Sequence, residues 1–261
     1  MKHNKLKTII IVLAGLMIAE GLVIICLLLP RPKKPLITPK PVAQGRIAIV
    51  IDDWGYHQDT INIISQIGYP LTAAVLPGVS HSAEVANKLH SLGVEIILHL
   101  PMEPFNGYGL EKNTLLTSMD SQKISKIIAD DLARIRYSKG VSNHMGSKLT
   151  SDPKAMTVVF KELKKRKLYF LDSFVTANSV CADLAKKMQL EFARRDIFLD
   201  NIEDPAYIRQ QILKLKRKAR AYGRAIGIGH DRKVTLQVLK EVMPELAKEG
   251  YKFVFLSELV R

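Results

Sequence analysis

Two adjacent carboxylates follow an apolar run near the start of the globular part of the chain. Asp52 and Asp53 come directly after residues 47–51, a run typical of a buried strand, and Trp54 follows them. Neighbouring acids repel each other and raise each other's pKa unless a cation or a hydrogen-bond donor lies between them. The pair therefore indicates a place where the fold supplies such a partner.

Three histidines repeat this layout further along the chain. His99, His144 and His230 each end an apolar segment of their own. Carboxylates and imidazoles are the metal ligands and the acid–base groups of metal hydrolases. A single histidine at a strand end is more often a structural residue, so the indication comes from the set and not from any one member.

Strand-like and helix-like segments alternate from residue 46 to the C-terminus. The predicted strands are residues 46–51, 71–76, 94–99, 141–144, 168–172, 190–194, 225–229 and 252–256. Helical patterns occupy residues 57–67, 81–92, 121–137, 152–166, 179–189, 205–222 and 233–249. This alternation predicts an α/β fold in which seven or eight parallel strands form a barrel. An open doubly wound sheet is the alternative, although no Gly-x-Gly-x-x-Gly follows the first strand.

The polar residues fall at or just past the ends of the predicted strands. Active sites of parallel α/β folds lie at the carboxyl ends of the strands, where the loops meet. The sequence therefore predicts one site for a set that comprises Asp52, Asp53, His99, His144, Asp172, Arg194, Arg195, Asp196 and His230.

Five sequence blocks occur in order within residues 46–261. They are Ile51-Asp-Asp-Trp-Gly55, His99-Leu-Pro-Met-Glu-Pro104, Ser142-Asn-His-Met-Gly-Ser147, Phe170-Leu-Asp-Ser173 and Ile228-Gly-His-Asp-Arg232. Together they resemble the divergent polysaccharide deacetylase family. The resemblance implies a distorted (β/α) barrel that removes acetyl groups from an envelope polysaccharide or glycan with a divalent metal, usually Zn²⁺.

The resemblance also implies a division of roles among three of the residues. By the match to the first block, Asp52 is the general base and Asp53 is a metal ligand. His230 resembles the late histidine that protonates the leaving group.

The second block departs from the pattern of the wider superfamily. That pattern places two ligand histidines four residues apart on a helix. Here Glu103 stands four residues after His99, and Pro101 interrupts any helix start. We therefore expect His99 to keep its role as a ligand and His144 to supply the second imidazole.

Four further residues are candidates for contact with the ligands or the substrate. Asp172 could orient a histidine or cap the following helix. Trp54, the only tryptophan, could stack on a sugar ring or pack at the edge of the core. Glu103 becomes the substitute ligand if His144 lies away from the site. Arg195 directly follows the predicted strand 190–194, and we expect it to lie beside the site.

The N-terminal segment predicts a membrane anchor. Residues 8–29 are apolar except for Thr8 and Glu20, and the run is long enough to span a bilayer. It is longer than the core of a signal peptide and has no small-residue cleavage site. We therefore expect an uncleaved single-pass anchor in the cytoplasmic membrane with the domain on the periplasmic side. The expected organisation is an anchor over residues 1–29, a Pro-rich linker over 30–45 and a deacetylase domain over 46–261.

The charge of the chain gives little further functional information. The net charge is +14, but residues 1–46 contain eight Lys or Arg and one acid, so the globular part is only moderately basic. A solvated surface explains this charge, and attraction to an anionic polymer or membrane surface is the alternative. We expect no nucleic-acid partner, because no recognition motif accompanies the basic runs.

Three functions agree with these patterns. The first is a metal-dependent carbohydrate deacetylase of the bacterial envelope, acting on an acetylated glycan or cell-wall polysaccharide. The second is a non-catalytic envelope binding or scaffold protein on the same fold. The third is another metal hydrolase, such as a phosphoesterase.

Overall fold

The computed structural model describes residues 7, 9–20 and 44–261 in two units, Met1–Lys40 and Pro41–Arg261. In the first unit, residues 9–20 are helical and exposed. No helix within the described ranges combines the length and the apolar character needed to cross a membrane. The predicted anchor over 8–29 is described only at 9–20, and most of the predicted linker lies outside the described residues, so both stay predictions.

The second unit is built around a sheet whose strands all pair in parallel. Its strands are β1 (Gly45–Trp54), β2 (Thr72–Val75), β3 (Glu95–Met102), β4 (Gly140–Met145), β5 (Tyr169–Asp172), β6 (Phe192–Arg194), β7 (Ile197–Phe198), β8 (Arg224–His230) and β9 (Tyr251–Phe253). Their order is β6-β5-β4-β3-β2-β1-β8-β7, and β9 lies beside β1. The predicted parallel α/β architecture is confirmed, and β7 is a strand that the sequence patterns did not indicate.

Helices connect the strands across the outside of the sheet. They are α1 (Ile61–Ile64), α2 (Ser82–Ser91), α3 (Ser121–Arg134), α4 (Pro153–Lys165), α5 (Cys181–Met188), α6 (Pro205–Tyr222) and α7 (Lys233–Lys248). Asp side chains cap α3, α4 and α6, and Pro occupies the first turn of the last two, as helix N-termini favour. The helix predicted over 57–67 is shorter in the structure, where only α1, Ile61–Ile64, is helical. Its N-cap residue, Thr60, makes no capping bond and donates its hydroxyl hydrogen to Asp231 instead.

Alternating side chains divide the core into two layers. On β1, Ile47, Ile49 and Ile51 pack in the cluster that contains the helices, whereas Ala48 and Val50 face the interior of the sheet. The interior cluster continues with Ala74, Ile97, Tyr169, Leu171, Ala193, Ile226, Ile228, Val254, Leu256 and Leu259. The last three residues belong to the segment after β9, which packs at the amino ends of the strands, where the Leu256 amide donates to Thr72 Oγ1 at 3.1 Å. The carboxyl ends of the strands therefore remain available for a site.

The two edge strands, β6 and β7, are joined by only two residues, so the sheet curls until its edges lie side by side. The amide of Asp196 donates to the Ile226 carbonyl oxygen at 2.9 Å, and the Ile226 amide donates to Asp196 Oδ2 at 2.8 Å. The side chain of Asp196 thus satisfies a backbone group of β8 at the point where the ladder is interrupted. The result is a parallel barrel with a seam between β6 and β7.

The seam predicts different effects for two substitutions of Asp196. Asp196→Ala leaves the Ile226 amide without its acceptor, so we expect the free energy of unfolding to fall by about 1–3 kcal/mol. Asp196→Asn keeps an acceptor oxygen and loses only the partly exposed ion pair with Lys218, so it should stay within about 1 kcal/mol of the wild type. Urea unfolding of both variants measures the difference. Equal losses would show that the charge matters and the hydrogen bond does not.

Candidate active site

The polar residues at the strand ends continue the inward-facing series of the barrel interior. Because alternate residues face the same side of a strand, the inward series on β1 continues to Asp52, that on β3 to His99 and that on β8 to His230. The strand register then brings them together, since Asp52 pairs with His230, and His99 pairs with Ser142 on β4. Asp52 and His99 are buried at this end of the barrel.

Asp53 reaches the same place only because β1 is irregular there. In a regular strand it would point away from Asp52, towards the helices. The register with β2 shifts between Ile51 and Trp54, and Asp53 adopts a left-handed φ of 66°. Asp tolerates this conformation better than most residues. The irregularity places both carboxylates at one end of the barrel, with Asp53 Oδ1 3.2 Å and Asp52 Oδ2 3.7 Å from the same atom, His99 Nε2.

One carboxylate and two imidazoles form a candidate metal-binding group. Asp53 Oδ1 lies 3.2 Å from His99 Nε2 and 3.0 Å from His144 Nδ1. One potential ligand atom from each residue lies within 4.8 Å of the others. The Nδ1 atom of His99 is 2.7 Å from Ser142 Oγ, which fixes the ring and leaves Nε2 for the site. This donor set suits a divalent cation that accepts nitrogen and oxygen ligands.

The two neighbouring acids have pKa values that shift in opposite directions. Burial raises the pKa of Asp52 above its ordinary value, and the nearby His99 opposes this shift. Burial also acts on Asp53, but hydrogen bonds from His144 and His99 outweigh it and lower the pKa of Asp53. Asp52 Oδ1 is buried without a hydrogen-bond partner. The pair therefore consists of one carboxylate held by two imidazoles and one with an acceptor oxygen still free.

His230 stands at the other side of Asp53 and is held by a residue that the sequence analysis missed. Its Nδ1 atom is 2.8 Å from Asp200 Oδ1, and its Nε2 atom is 4.0 Å from Asp53 Oδ2. Asp200 Oδ2 accepts hydrogen bonds from the His230 amide at 2.8 Å and from the Thr235 hydroxyl at 2.7 Å. Burial lowers the pKa of His230, but the charge and hydrogen bond of Asp200 outweigh it and raise the pKa. Residues 197–200, an apolar run that ends in Asp, carried the same pattern as the other strand ends but were too short to be recognised.

Trp54 and Glu103 lie in surroundings that differ from a substrate-binding or ligand role. The Trp54 side chain is fully buried in the outer core, which favours packing over stacking on a sugar. Glu103 accepts hydrogen bonds from Lys148 Nζ at 2.6 Å and from the amide and hydroxyl of Thr117 at 2.7 Å. It is outside the candidate metal-binding group, because His144 takes the place for which Glu103 was the substitute.

Asp172 and Arg195 organise the loop after β5. Asp172 accepts hydrogen bonds from the Ser179 hydroxyl and the Phe174 amide, both at 2.7 Å, so its contacts go to the loop and not to a histidine. Arg195 donates to the carbonyl oxygens of Ser173 at 2.6 Å and Phe174 at 2.8 Å. Its guanidinium carbon also lies 3.7 Å from the ring centroid of Phe198, and that ring stacks on His230. Arg195 therefore contributes indirectly, by packing against the neighbour of His230.

A parallel α/β barrel with an Asp-His-His group at its carboxyl end defines the class of this protein. Residues 49–260 match the family described as divergent polysaccharide deacetylase, and the chain belongs to that family. It is 38% identical over 211 residues to the uncharacterized protein YibQ of Escherichia coli (strain K12). That match covers 81% of this chain and 66% of the relative, slightly less than two thirds of its length.

Solved structures share the fold. The crystal structure of the uncharacterized protein ATU2773 from Agrobacterium tumefaciens C58 aligns with a TM-score of 0.74 and 26% identity, covering 85% of this chain and 91% of that one. The family 4 carbohydrate esterase from Streptomyces lividans, solved in complex with acetate, aligns with a TM-score of 0.51 and 14% identity. That alignment covers 82% of this chain and 94% of the esterase. At this identity the esterase shares the fold alone.

The geometry predicts which side chains are needed to bind a metal. In Asp53→Asn a weak neutral oxygen replaces the charged ligand, and His144→Ala removes an imidazole outright. We expect either change to weaken Zn²⁺ binding to the purified full chain by more than about 100-fold, because even outer partners of ligands are worth 10–100-fold. Calorimetric titration measures this affinity.

Glu103→Gln is the matched control, since it neutralises a nearby carboxylate that belongs to a separate hydrogen-bonded group. It should bind Zn²⁺ as the wild type does. A loss of affinity in Glu103→Gln with normal affinity in His144→Ala would return the second ligand to Glu103.

Proposed function

We propose that this protein is a metal-dependent hydrolase that removes acetyl groups from an envelope polysaccharide or glycan. The observation that carries the proposal is the arrangement of Asp52 and Asp53, which lie at one end of the barrel in different electrostatic surroundings beside three histidines. Membership of the divergent polysaccharide deacetylase family supports it. So does the fold shared with an esterase that was solved with acetate, the product that deacetylation releases.

In this proposal, Asp53, His99 and His144 would hold the metal. One carboxylate and two imidazoles are a donor set that suits Zn²⁺. When bound, such a cation lowers the pKa of water and polarises a carbonyl group. Ser142 keeps the His99 ring in the orientation that directs Nε2 into the site.

Asp52 acts as the general base. Its Oδ1 atom lacks a hydrogen-bond partner, so it is free to accept a proton from the attacking water. Its neighbour Asp53 cannot take this role, because both of its close contacts are imidazoles that compete for its lone pairs. The two acids therefore divide the work of proton acceptance and ligation.

His230 acts as the general acid. Asp200 binds its Nδ1 atom, which fixes the ring and leaves Nε2 as the position from which a proton can be given. Nε2 faces Asp53 Oδ2, on the side of the carboxylate opposite His99 and His144. A proton from Nε2 would reach the departing amine or alkoxide of the sugar.

The proposal predicts that base and ligand variants separate. Asp52→Asn keeps the shape of the side chain and removes the base, so acetate release from acetylated glycans should fall about 10²–10⁴-fold while Zn²⁺ remains bound. His230→Ala should behave in the same way. Acetate assays and metal analysis of the same preparations test this. Loss of metal in Asp52→Asn as in Asp53→Asn would mean that the two acids ligate jointly.

Two outcomes would select the other functions. If the wild-type protein binds metal tightly and hydrolyses neither acetyl nor phosphate esters, the protein is a non-catalytic envelope binding or scaffold protein. Hydrolysis of a phosphate ester without acetate release would identify a metal phosphoesterase.

We also propose that residues 8–29 anchor the domain on the periplasmic side of the cytoplasmic membrane. The long apolar run and the five prolines between residues 30 and 45 support this placement. Protease added to intact spheroplasts should digest the domain and leave a membrane-bound N-terminal fragment. A domain that is protected until the membrane is lysed would establish the inverse topology.

A further inference from the structure

The seam between β6 and β7 leaves one side of the barrel without a covering helix. Every other strand is joined to the next one through a helix, whereas only two residues join β6 to β7. A cavity of about 580 Å³ lies in the resulting gap between α5 and α6, and we call it the seam cavity. Its polar and aromatic lining residues are Phe192, Arg194, Asp196, Lys218, Tyr222 and Arg224.

The seam cavity has an excess of positive charge. Arg194, Lys218 and Arg224 line it against a single acid, Asp196. The Asp196 carboxylate is already occupied, because it pairs with Lys218 at 2.8 Å and accepts the hydrogen bond from the Ile226 amide. Within the part of the chain that the structure describes, Arg194 and Arg224 make no ion pair. The cavity therefore offers two uncompensated guanidinium groups to a ligand.

Like charges also surround Arg224. Burial lowers the pKa of its guanidinium, and the positive charges of Arg261 and Arg46 lower this pKa further, while Asp196 opposes them. Arg224 Nη1 donates to the Leu259 carbonyl oxygen, which satisfies one donor but adds no negative charge. An anionic group in the cavity would relieve the repulsion, and phosphate oxygens match the paired N–H donors of arginine.

The exposed side of α6 continues the positive charge beyond the cavity. Leu213, Arg217 and Arg220 follow each other at intervals of four and three residues, so they share one face of the helix, and Lys214 lies beside them. All four are exposed. The other cations of α6 pair with acids, but Lys214, Arg217 and Arg220 have no ion pair with any described residue. We call these three residues the basic face of α6.

Two exposed apolar side chains lie among these charges. Leu213, within the basic face, is 52% exposed, and Tyr222, at the edge of the seam cavity, is 74% exposed. Cations mixed with exposed leucine and an aromatic ring are typical of a helix that lies on a bilayer surface. A soluble anionic polymer would be attracted by the charges alone. The apolar side chains therefore favour a lipid surface over a polymer.

The chain enters the domain beside the basic face. The Arg46 amide, at the start of β1, donates to the Gly223 carbonyl oxygen at 2.9 Å, one turn after Arg220. Residues 30–43 connect this point to the apolar run 8–29, for which we propose a membrane anchor. If that run lies in a bilayer, the covalent path from the bilayer reaches the domain at the end of α6.

We propose that the basic face of α6 lies on the surface of an anionic lipid bilayer, and that the seam cavity takes the phosphate of a lipid headgroup. The phosphate supplies the negative charge that Arg194 and Arg224 lack, and Leu213 and Tyr222 enter the headgroup layer. This interaction goes beyond the proposed deacetylase function and is independent of it, because no residue of the candidate metal-binding group takes part.

The test measures recruitment of the full chain, held in phosphatidylcholine nanodiscs, to added vesicles. The disc occupies the apolar N-terminal run, so recruitment reports on the domain. We expect binding to vesicles of equimolar phosphatidylcholine and phosphatidylglycerol and none to pure phosphatidylcholine. Arg217→Gln/Arg220→Gln should weaken binding about 10–30-fold, because each cation near an anionic surface contributes about a factor of five. Equal binding of the wild type to both kinds of vesicle would overturn the proposal.

Lys154→Gln/Lys161→Gln is the matched control, because it removes the same charge from exposed positions on α4. It should bind the anionic vesicles as the wild type does. Equal losses in the two double variants would show that net charge alone sets recruitment, and would overturn the assignment to α6. Urea unfolding of both variants checks that the fold is retained.

Arg194→Gln and Arg224→Gln test the seam cavity, and each should weaken binding to the anionic vesicles about fivefold. Because Arg224 also bonds the Leu259 carbonyl oxygen, the exposed Arg194 is the cleaner position. Normal recruitment of both variants would overturn the role of the cavity.

Two further probes separate the lipid from other anions. Calorimetric binding of inorganic phosphate that Arg194→Gln abolishes, without recruitment of the wild type to vesicles, would assign the cavity to free phosphate and overturn the proposal. Binding to dextran sulfate without recruitment to vesicles would select an anionic polymer and would overturn it as well.

Discussion

The contact of the Asp53 carboxylate with the His99 and His144 imidazoles is the interaction on which the rest of the site depends. Two imidazoles approach one of its oxygen atoms, and His230 faces the other. The donors that surround Asp53 outweigh its burial, so it stays ionised, while burial raises the pKa of its neighbour Asp52. Adjacent acids with opposite shifts can perform different chemical roles, and a single fold then supplies both a ligand and a base without further acidic groups.

The barrel provides this arrangement through the alternation of side chains along its strands. The inward-facing residues just before Asp52, His99 and His230 on β1, β3 and β8 are apolar, and these three polar residues lie towards the carboxyl ends of their strands. The C-terminal segment fills the opposite end, so one end of the barrel is packed and the other holds the candidate site. Outer partners then fix the rings: Ser142 holds His99, and Asp200 holds His230.

Much of this could be predicted from the sequence, because buried parallel strands are uninterrupted apolar runs and their ends are polar. Each predicted strand occurs in the structure, and Asp53, His99 and His144 lie at one end of it, although the irregularity of β1 that turns Asp53 inward could not be predicted. The same logic missed β7, whose two residues leave no periodicity, and with it Asp200. It overextended the helix at 57–67, of which only Ile61–Ile64 is helical, and it did not foresee the hydrogen bond from Thr60 to Asp231. It could not decide between burial and exposure for Trp54, since both alternatives place an aromatic ring after a strand.

The left-handed backbone at Asp53 sets stability against the proposed activity at a single residue. A glycine there would adopt the same conformation with less strain, whereas an L residue in an unfavourable region costs of the order of 1–3 kcal/mol. Selection for thermal stability alone would therefore erase the carboxylate and leave the barrel intact. The same exchange is one route by which such a fold could turn into an inactive homologue. A family member that carries glycine at this position could keep the full architecture while losing the centre of its chemistry.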